Sequence, residues 1–264
     1  MNLVVGYVPY LNMSPFHIGF GPESVRLESH SVDFRTFSPK ALGIEAEKGS
    51  LDAGAFSLVD SWRLKGFEPL GSFGIGMKGP ARSVLFFSRM PISEFAGMAA
   101  VTDETATSVR LLQVLLEKRY GNKNIRYGRV ASRLLFDGSS EGLLLIGNEG
   151  LKAQREGIRG LPFVSDLGSE WIDWQGTPFA FARWMVKRSL PQDIKDLLYR
   201  TLKNSLVSAQ TIKPVALSKV ADRNGFLAED VRKYWDAFDF NLTPSHDHSI
   251  AEFKRLTGDL CLSA

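Results

Sequence analysis

Apolar residues along this chain fall into two rhythms, short unbroken or alternating runs and longer stretches with a helical period. Leu3-Val4-Val5-Gly6-Tyr7-Val8 is a continuous run and predicts a buried strand over residues 3–8. Val32-Asp33-Phe34-Arg35-Thr36-Phe37 alternates and predicts a second strand. Pro39 opens a short helix in the manner of a proline at the first helical position, and that helix ends near Gly49. Asp52 to Phe56 predicts a third strand, followed by a helix carrying Trp62 and Leu64. Phe67 to Met77 and Ser83 to Ser88 continue as strands. Strands alternating with helices predict a sheet covered on both faces.

After Ser88 the alternation begins again. Met98 to Thr102 predicts a strand and Thr107 to Tyr120 a helix, with Leu112, Leu115 and Leu116 as its buried stripe and Gly121 just past its end. Ile125 to Val130, Leu143 to Ile146 and Phe163 to Leu167 predict further strands, and Thr177 to Val186 a long one. The remainder reads as helices near 191–210, 213–223, 228–237 and 247–257. This order predicts an α/β protein of two lobes. Residues 1–88 plus 183–264 form a discontinuous first lobe, residues 89–182 an inserted second one, and crossings near Ser88 and Ala182 act as a hinge over a ligand cleft. A single doubly wound domain is the weaker alternative, because the strand count is high and the helices gather late.

Composition adds limits more than chemistry. The 264 residues are 44% hydrophobic and 23% charged, ordinary for a globular protein. Basic residues outnumber acidic ones by 32 to 29, a surplus too mild for a nucleic-acid footprint, yet compatible with an acidic small molecule. One cysteine, Cys261, excludes an intramolecular disulfide and a thiolate metal site. No stretch has the length of a membrane span. The start lacks the basic and apolar regions of a secretory leader, so the expected location is the cytoplasm.

Four polar segments interrupt the pattern where ligands usually bind. Tyr7 to Pro15 follows the first strand and offers Asn12, whose amide both donates and accepts; capping by Asn12 or Ser14 is the competing reading. Gly79-Pro80-Ala81-Arg82-Ser83 offers Arg82 as a carboxylate fork and Ser83 as a donor, against a plain solvated turn. Thr102 to Ser108 joins a strand to a helix, and its hydroxyls (Thr105, Thr107, Ser108) beside helix N–H groups suit an anion, against simple capping. Ile146-Gly147-Asn148-Glu149-Gly150 ends another strand. His246-Asp247-His248 has the wrong spacing for a metal pair with His17 and His30, and no phosphate loop, dinucleotide fingerprint or nucleophile elbow is present.

These segments, in order, resemble the chorismate dehydratases of menaquinone biosynthesis. Gly6 to Pro15 is similar to the family's tyrosine-leucine-asparagine opening, with Asn12 on its asparagine. Gly79 to Ser88 matches a serine-valine-led strand, Thr102 to Leu116 a threonine-rich strand–helix junction, and Ile146 to Gly150 an isoleucine-glycine-acid loop. Asp166-Leu167-Gly168, through Trp171 and Trp174 to Pro178-Phe179, is similar to a tryptophan-glycine-proline-phenylalanine stretch. Three places depart from the pattern: Ser57 to Asp60, where a proline-serine pair precedes an acid in the family; Asn148, where aspartate is common; and Arg82 before the serine.

The resemblance implies a type II periplasmic-binding-protein-like fold with the ligand cleft between its lobes. It implies a hydro-lyase that converts chorismate to 3-[(1-carboxyvinyl)oxy]benzoate on the futalosine route, without metal or organic cofactor. Catalysis would fall to Asn12, Asp60 and Glu149, with Glu104 a further candidate base and a substrate carboxylate another. Ser57, Arg82, Ser83, Thr105, Thr107, Ser108 and Asn148 would bind substrate. A small carboxylate is the implied partner, with neither nucleic acid nor membrane. Two other readings stay open: a dihydroxynaphthoate synthase-like enzyme of the same pathway, and a non-catalytic solute-binding protein.

Overall fold

The computed structural model describes residues 1–24, 26–102, 106–130 and 136–258. In chain order its first elements are β1 (Asn2–Tyr7), a 3-10 segment (Leu11–His17), β2 (Arg26–Leu27), β3 (His30–Thr36), α1 (Pro39–Glu47), β4 (Ala53–Ser57), α2 (Leu58–Ser61) and β5 (Phe67–Met77). Next come β6 (Leu85–Ser88), β7 (Gly97–Thr102), α3 (Thr107–Val114), β8 (Ile125–Val130), β9 (Gly142–Leu145), α4 (Gly147–Glu156), β10 (Phe163–Asp166) and α5 (Leu167–Gln175). The chain ends with β11 (Phe179–Lys187), α6 (Gln192–Gln210), α7 (Pro214–Asn224), α8 (Ala228–Trp235), β12 (Phe238–Asn241) and α9 (Pro244–Gly258).

Contacts divide these elements into two units. Unit 1 takes Met1–Ile75 and Phe181–Leu242; unit 2 takes Gly76–Ala180 and the residues from Thr243 onward. The sequence reading kept the last helix with the first lobe. Instead Phe253 of α9 packs at 5.7 Å from Trp171 and 5.0 Å from Phe179, ring centre to ring centre, so its apolar face is buried within unit 2.

Unit 1 is built on a seven-stranded sheet in the order β12-β5-β11-β4-β1-β3-β2. β1 runs parallel to both β3 and β4, while β11 runs antiparallel to β4 with Ala182 opposite Ser57. α1 reaches this sheet because Gly6 has no side chain: a Cβ there would lie 2.0 Å from Leu42 Cδ1. Asp52 closes the opposite end, accepting Val4 N–H at 2.9 Å and Lys187 Nζ at 3.0 Å. Ser38 caps α1 and Pro39 takes its first position, as the sequence predicts.

Unit 2 holds a five-stranded sheet, β10-β6-β9-β7-β8. Leu85, Phe87, Ala100, Leu143 and Leu145 project into one core cluster with Ala153 of α4. The predicted helix from Thr107 is α-helical only to Val114 and then winds into a π turn over Leu115–Arg119. Arg119 bonds Glu170 of α5 there at 2.7 Å, and the Tyr120 hydroxyl donates to the same carboxylate. His246 sits fully buried near the start of α9, its Nδ1 accepting Thr243 N–H at 3.1 Å, which makes it a cap of its own helix. No described helix is long and apolar enough to cross a membrane.

Candidate functional site

In unit 1 the parallel register of β1 and β4 brings the loop after Tyr7 and the Ser57–Asp60 segment to the same end of the sheet. Asn12 lies in the 3-10 segment that follows. It is not a helix cap: Tyr10 takes the cap position, with no side-chain bond. Its Oδ1 is buried and has no hydrogen-bond partner. A buried carbonyl oxygen without a donor is costly, so this acceptor is suited to an incoming O–H or N–H group. Trp235 of α8 holds the segment in place, donating its indole N–H to Leu11 O at 2.9 Å.

His17, at the end of the same segment, donates from Nδ1 to Phe20 O at 3.0 Å, which leaves Nε2 as a buried acceptor without a partner. Its ring packs against Tyr7, Phe34 and Trp184. Burial pulls the imidazole down to about 4, against a smaller upward pull from the Phe20 carbonyl.

Ser57 and Asp60 are buried and occupied with each other. Ser57 donates to Asp60 Oδ2 at 2.6 Å and accepts Asp60 N–H at 3.3 Å, a reciprocal cap over the first turn of α2. Arg63 holds the other carboxylate oxygen, and the carboxyl packs against Gly43 of α1. An acid with both oxygens engaged this way anchors a helix. Both oxygens of Asp60, the acid expected to be catalytic, are thus engaged within the first turn of α2, and Ser57, expected to bind substrate, caps that turn.

Unit 2 gathers more of the expected residues. Asp166, Leu85 and Leu145 are aligned across β10, β6 and β9, and Leu144 pairs with Val101 of β7. The register therefore puts Ser83, the start of α3, the start of α4 and the start of α5 at one end of this sheet. Ser83, Thr107 and Ser108 are buried, Asn148 and Glu149 half-buried, and Arg82 exposed. Ser83 Oγ donates to Ala81 O at 3.2 Å. Residues 147–156 form a helix where a loop was expected, so Asn148 and Glu149 lie in the first turn of α4. Gly150 in that turn is obligatory, because a Cβ would come within 2.4 Å of Ser83 O. Thr105 and Glu104 lie outside the described residues.

Sequence reasoning passed over Asp166. Its Oδ1 accepts the N–H groups of Ala81 at 2.8 Å and of Gly168 and Ser169 at 3.0 Å, while Oδ2 accepts Arg82 N–H at 2.6 Å. Burial pushes the carboxyl above its usual range, opposed by these bonds to the backbone. The signal was present: an aspartate directly before a helical pattern is a favoured N-cap.

Comparison with known proteins decides the family. The chain matches the menaquinone biosynthesis family over residues 3–259. The chain belongs to that family. A relative, the chorismate dehydratase of Thermus thermophilus, is 31% identical over 205 residues, covering 71% of each chain. Among solved structures, a protein of Archaeoglobus fulgidus superposes with a TM-score of 0.77 at 14% identity, covering 97% of both chains. The periplasmic aliphatic sulphonate binding protein of Escherichia coli gives 0.68 at 14% identity, over 97% of this chain and 85% of that one. A Candida albicans gene product described as having the generic periplasmic binding protein fold gives 0.68 at 10%, over 100% and 92%. At such identities the likeness speaks for fold alone. This member of the menaquinone biosynthesis family has the periplasmic-binding-protein fold.

Proposed function

We propose that this protein is a chorismate dehydratase, a carbon–oxygen lyase releasing water from chorismate to give 3-[(1-carboxyvinyl)oxy]benzoate. The observation that carries the reading is the 31% identity to the Thermus thermophilus enzyme within a family match over residues 3–259. In the reaction the ring carbon–oxygen bond to the hydroxyl breaks, a neighbouring ring proton is removed, and the ring becomes aromatic. Aromatisation makes this favourable, so the protein's work is to orient a dianion and assist one proton transfer.

The geometry supports a division of labour. Ser83, Thr107, Ser108 and the N–H groups opening α3 stand at one end of the unit 2 sheet, a setting suited to carboxylates. Ala106, at the cap position of α3, makes no side-chain bond there. Arg82 and Asn148 supply further polar contacts. The unpartnered Oδ1 of Asn12 suits the substrate hydroxyl, which it would hold by accepting its O–H. Glu149, in the first turn of α4 at the same end of the unit 2 sheet as Ser83, is the carboxylate we assign to proton removal.

Incubating purified protein with chorismate and following the aromatic product by chromatography and mass spectrometry tests the reading. A product lighter by one water is expected. Chorismate that binds but persists unchanged would overturn it. An E149Q variant at the parent rate would move the proton to one of the substrate's own carboxylates.

A further inference from the structure

The chain leading into β6 is fastened at three points. Asp166 accepts Ala81 and Arg82 N–H, Leu167 N–H donates to Val84 O at 3.0 Å, and Gly150 admits the Ser83 carbonyl against α4. Within this turn Arg82 adopts φ +57°, a left-handed conformation unfavourable for a side chain with a Cβ. The one carboxylate thus does two tasks: it caps α5 through Gly168 and Ser169, and it holds a strained arginine through Ala81 and Arg82.

We propose that Asp166 is a positioning residue for the dehydration, fixing the Ala81–Ser83 turn so that Ser83 and Arg82 are presented to the substrate. This rests on the function proposed above. Asp166 need not touch substrate. It acts through the backbone of residues 81 and 82, both of whose N–H groups donate to its carboxylate.

The two tasks can be separated. Serine is a good N-cap but too short to bridge to residues 81 and 82, so D166S keeps the helix cap and removes the bridge. Losing charge-assisted bonds of this kind corresponds to roughly 10-fold or more in binding. The expected result for D166S is a melting temperature a few degrees below the parent's, a chorismate KM raised about 10-fold or more, and a smaller fall in kcat. R82G removes the strained arginine and its contact with substrate together, so it should itself raise KM, while glycine takes positive φ without cost. D166S should therefore change kcat/KM far less in the R82G background than in the parent.

Parental kcat/KM in D166S, or equal losses in both backgrounds, would overturn the proposal. If D166S folds poorly, D166N supplies a narrower cycle, in which Oδ1 still accepts Ala81, Gly168 and Ser169 N–H and only the acceptor of Arg82 N–H is lost, replaced by a donor. Amide hydrogen exchange at Ala81 and Arg82 gives a readout independent of turnover. Faster exchange in D166S than in the parent is expected, and unchanged exchange overturns the bridge. A parent protein inert towards chorismate, with exchange at residues 81 and 82 accelerated by D166S, would remove the dehydratase reading and leave the clamp standing.

Discussion

Trp235 donates its indole N–H to the backbone carbonyl of Leu11, 224 positions earlier in the chain, and both residues are buried. Asn12 follows directly, so a helix late in the sequence sets the position of the loop after the first strand. Replacing Trp235 by phenylalanine removes that hydrogen bond, at about 0.5–1.5 kcal/mol. A fall of several degrees in melting temperature is expected, together with a larger loss of turnover than the stability change explains. A variant with normal kinetics would show that the 3-10 segment holds its shape without the indole.

Asn12→Asp is nearly isosteric, but it places a negative charge beside a dianionic substrate. Turnover should fall by at least 100-fold, a loss of about 3 kcal/mol in transition-state stabilisation, with the circular dichroism spectrum unchanged and the melting temperature lowered, because the charge falls on an atom buried without a partner. Parental aromatisation of chorismate by this variant would reduce Asn12 to a packing residue.

Thr107 and Ser108 open α3 with their side chains buried. Substituting them by valine and alanine removes two hydroxyls and keeps the helix. Each charge-assisted hydrogen bond lost costs roughly 1.5–3 kcal/mol, so chorismate affinity measured by calorimetry should drop by an order of magnitude or more. Unchanged affinity would move the carboxylate site elsewhere.

His17 makes stability depend on pH in a stated direction. Its folded value of about 4 lies below the ordinary 6.5, so the unfolded chain binds the proton more readily. The contribution is fully present above pH 6.5 and is lost as pH falls from 6.5 to 4. The gap corresponds to roughly 3 kcal/mol. Asparagine at this position retains a donor for the Phe20 carbonyl and does not titrate. Urea midpoints for the parent should therefore decline more steeply than those of H17N across that window. Parallel curves would show that His17 is protonated at no cost.

Much of the architecture was legible because its signals are local. The unbroken apolar run before Val8, Pro39 behind Ser38, and Thr107 at a strand–helix junction each announce an element by adjacent residues, and each element is there. Where competing signals met, the reading slipped. Phe238–Asn241 alternates for only four residues after Trp235, falls between the helices read at 228–237 and 247–257, and was given no element, though it is the edge strand β12. α4 opens on Ile146 and Gly147, neither of them a favoured side-chain cap, so residues 146–150 read as a loop.

The site was less legible, for a related reason. Residue type suggested Asp60 as a base, but only coordinates reveal that Ser57 and Arg63 occupy its carboxylate. Asp166 was passed over because its work lies with backbone amides 84 and 85 positions away. The place of the last helix was beyond reach too, since an amphipathic stripe does not say which core it covers.

That last helix has a consequence for how the molecule is made. Unit 1 is incomplete without β11 and β12, and unit 2 lacks α9, with Phe253 against Trp171 and Phe179, until residues after Thr243 exist. A growing chain on the ribosome ordinarily folds domain by domain from its N-terminus. Here unit 1 cannot close its core before β12 has emerged, nor unit 2 before α9, so Trp171 and Phe179 stay uncovered from their own synthesis until α9 follows. Early folding of an N-terminal domain cannot shield these rings in that interval.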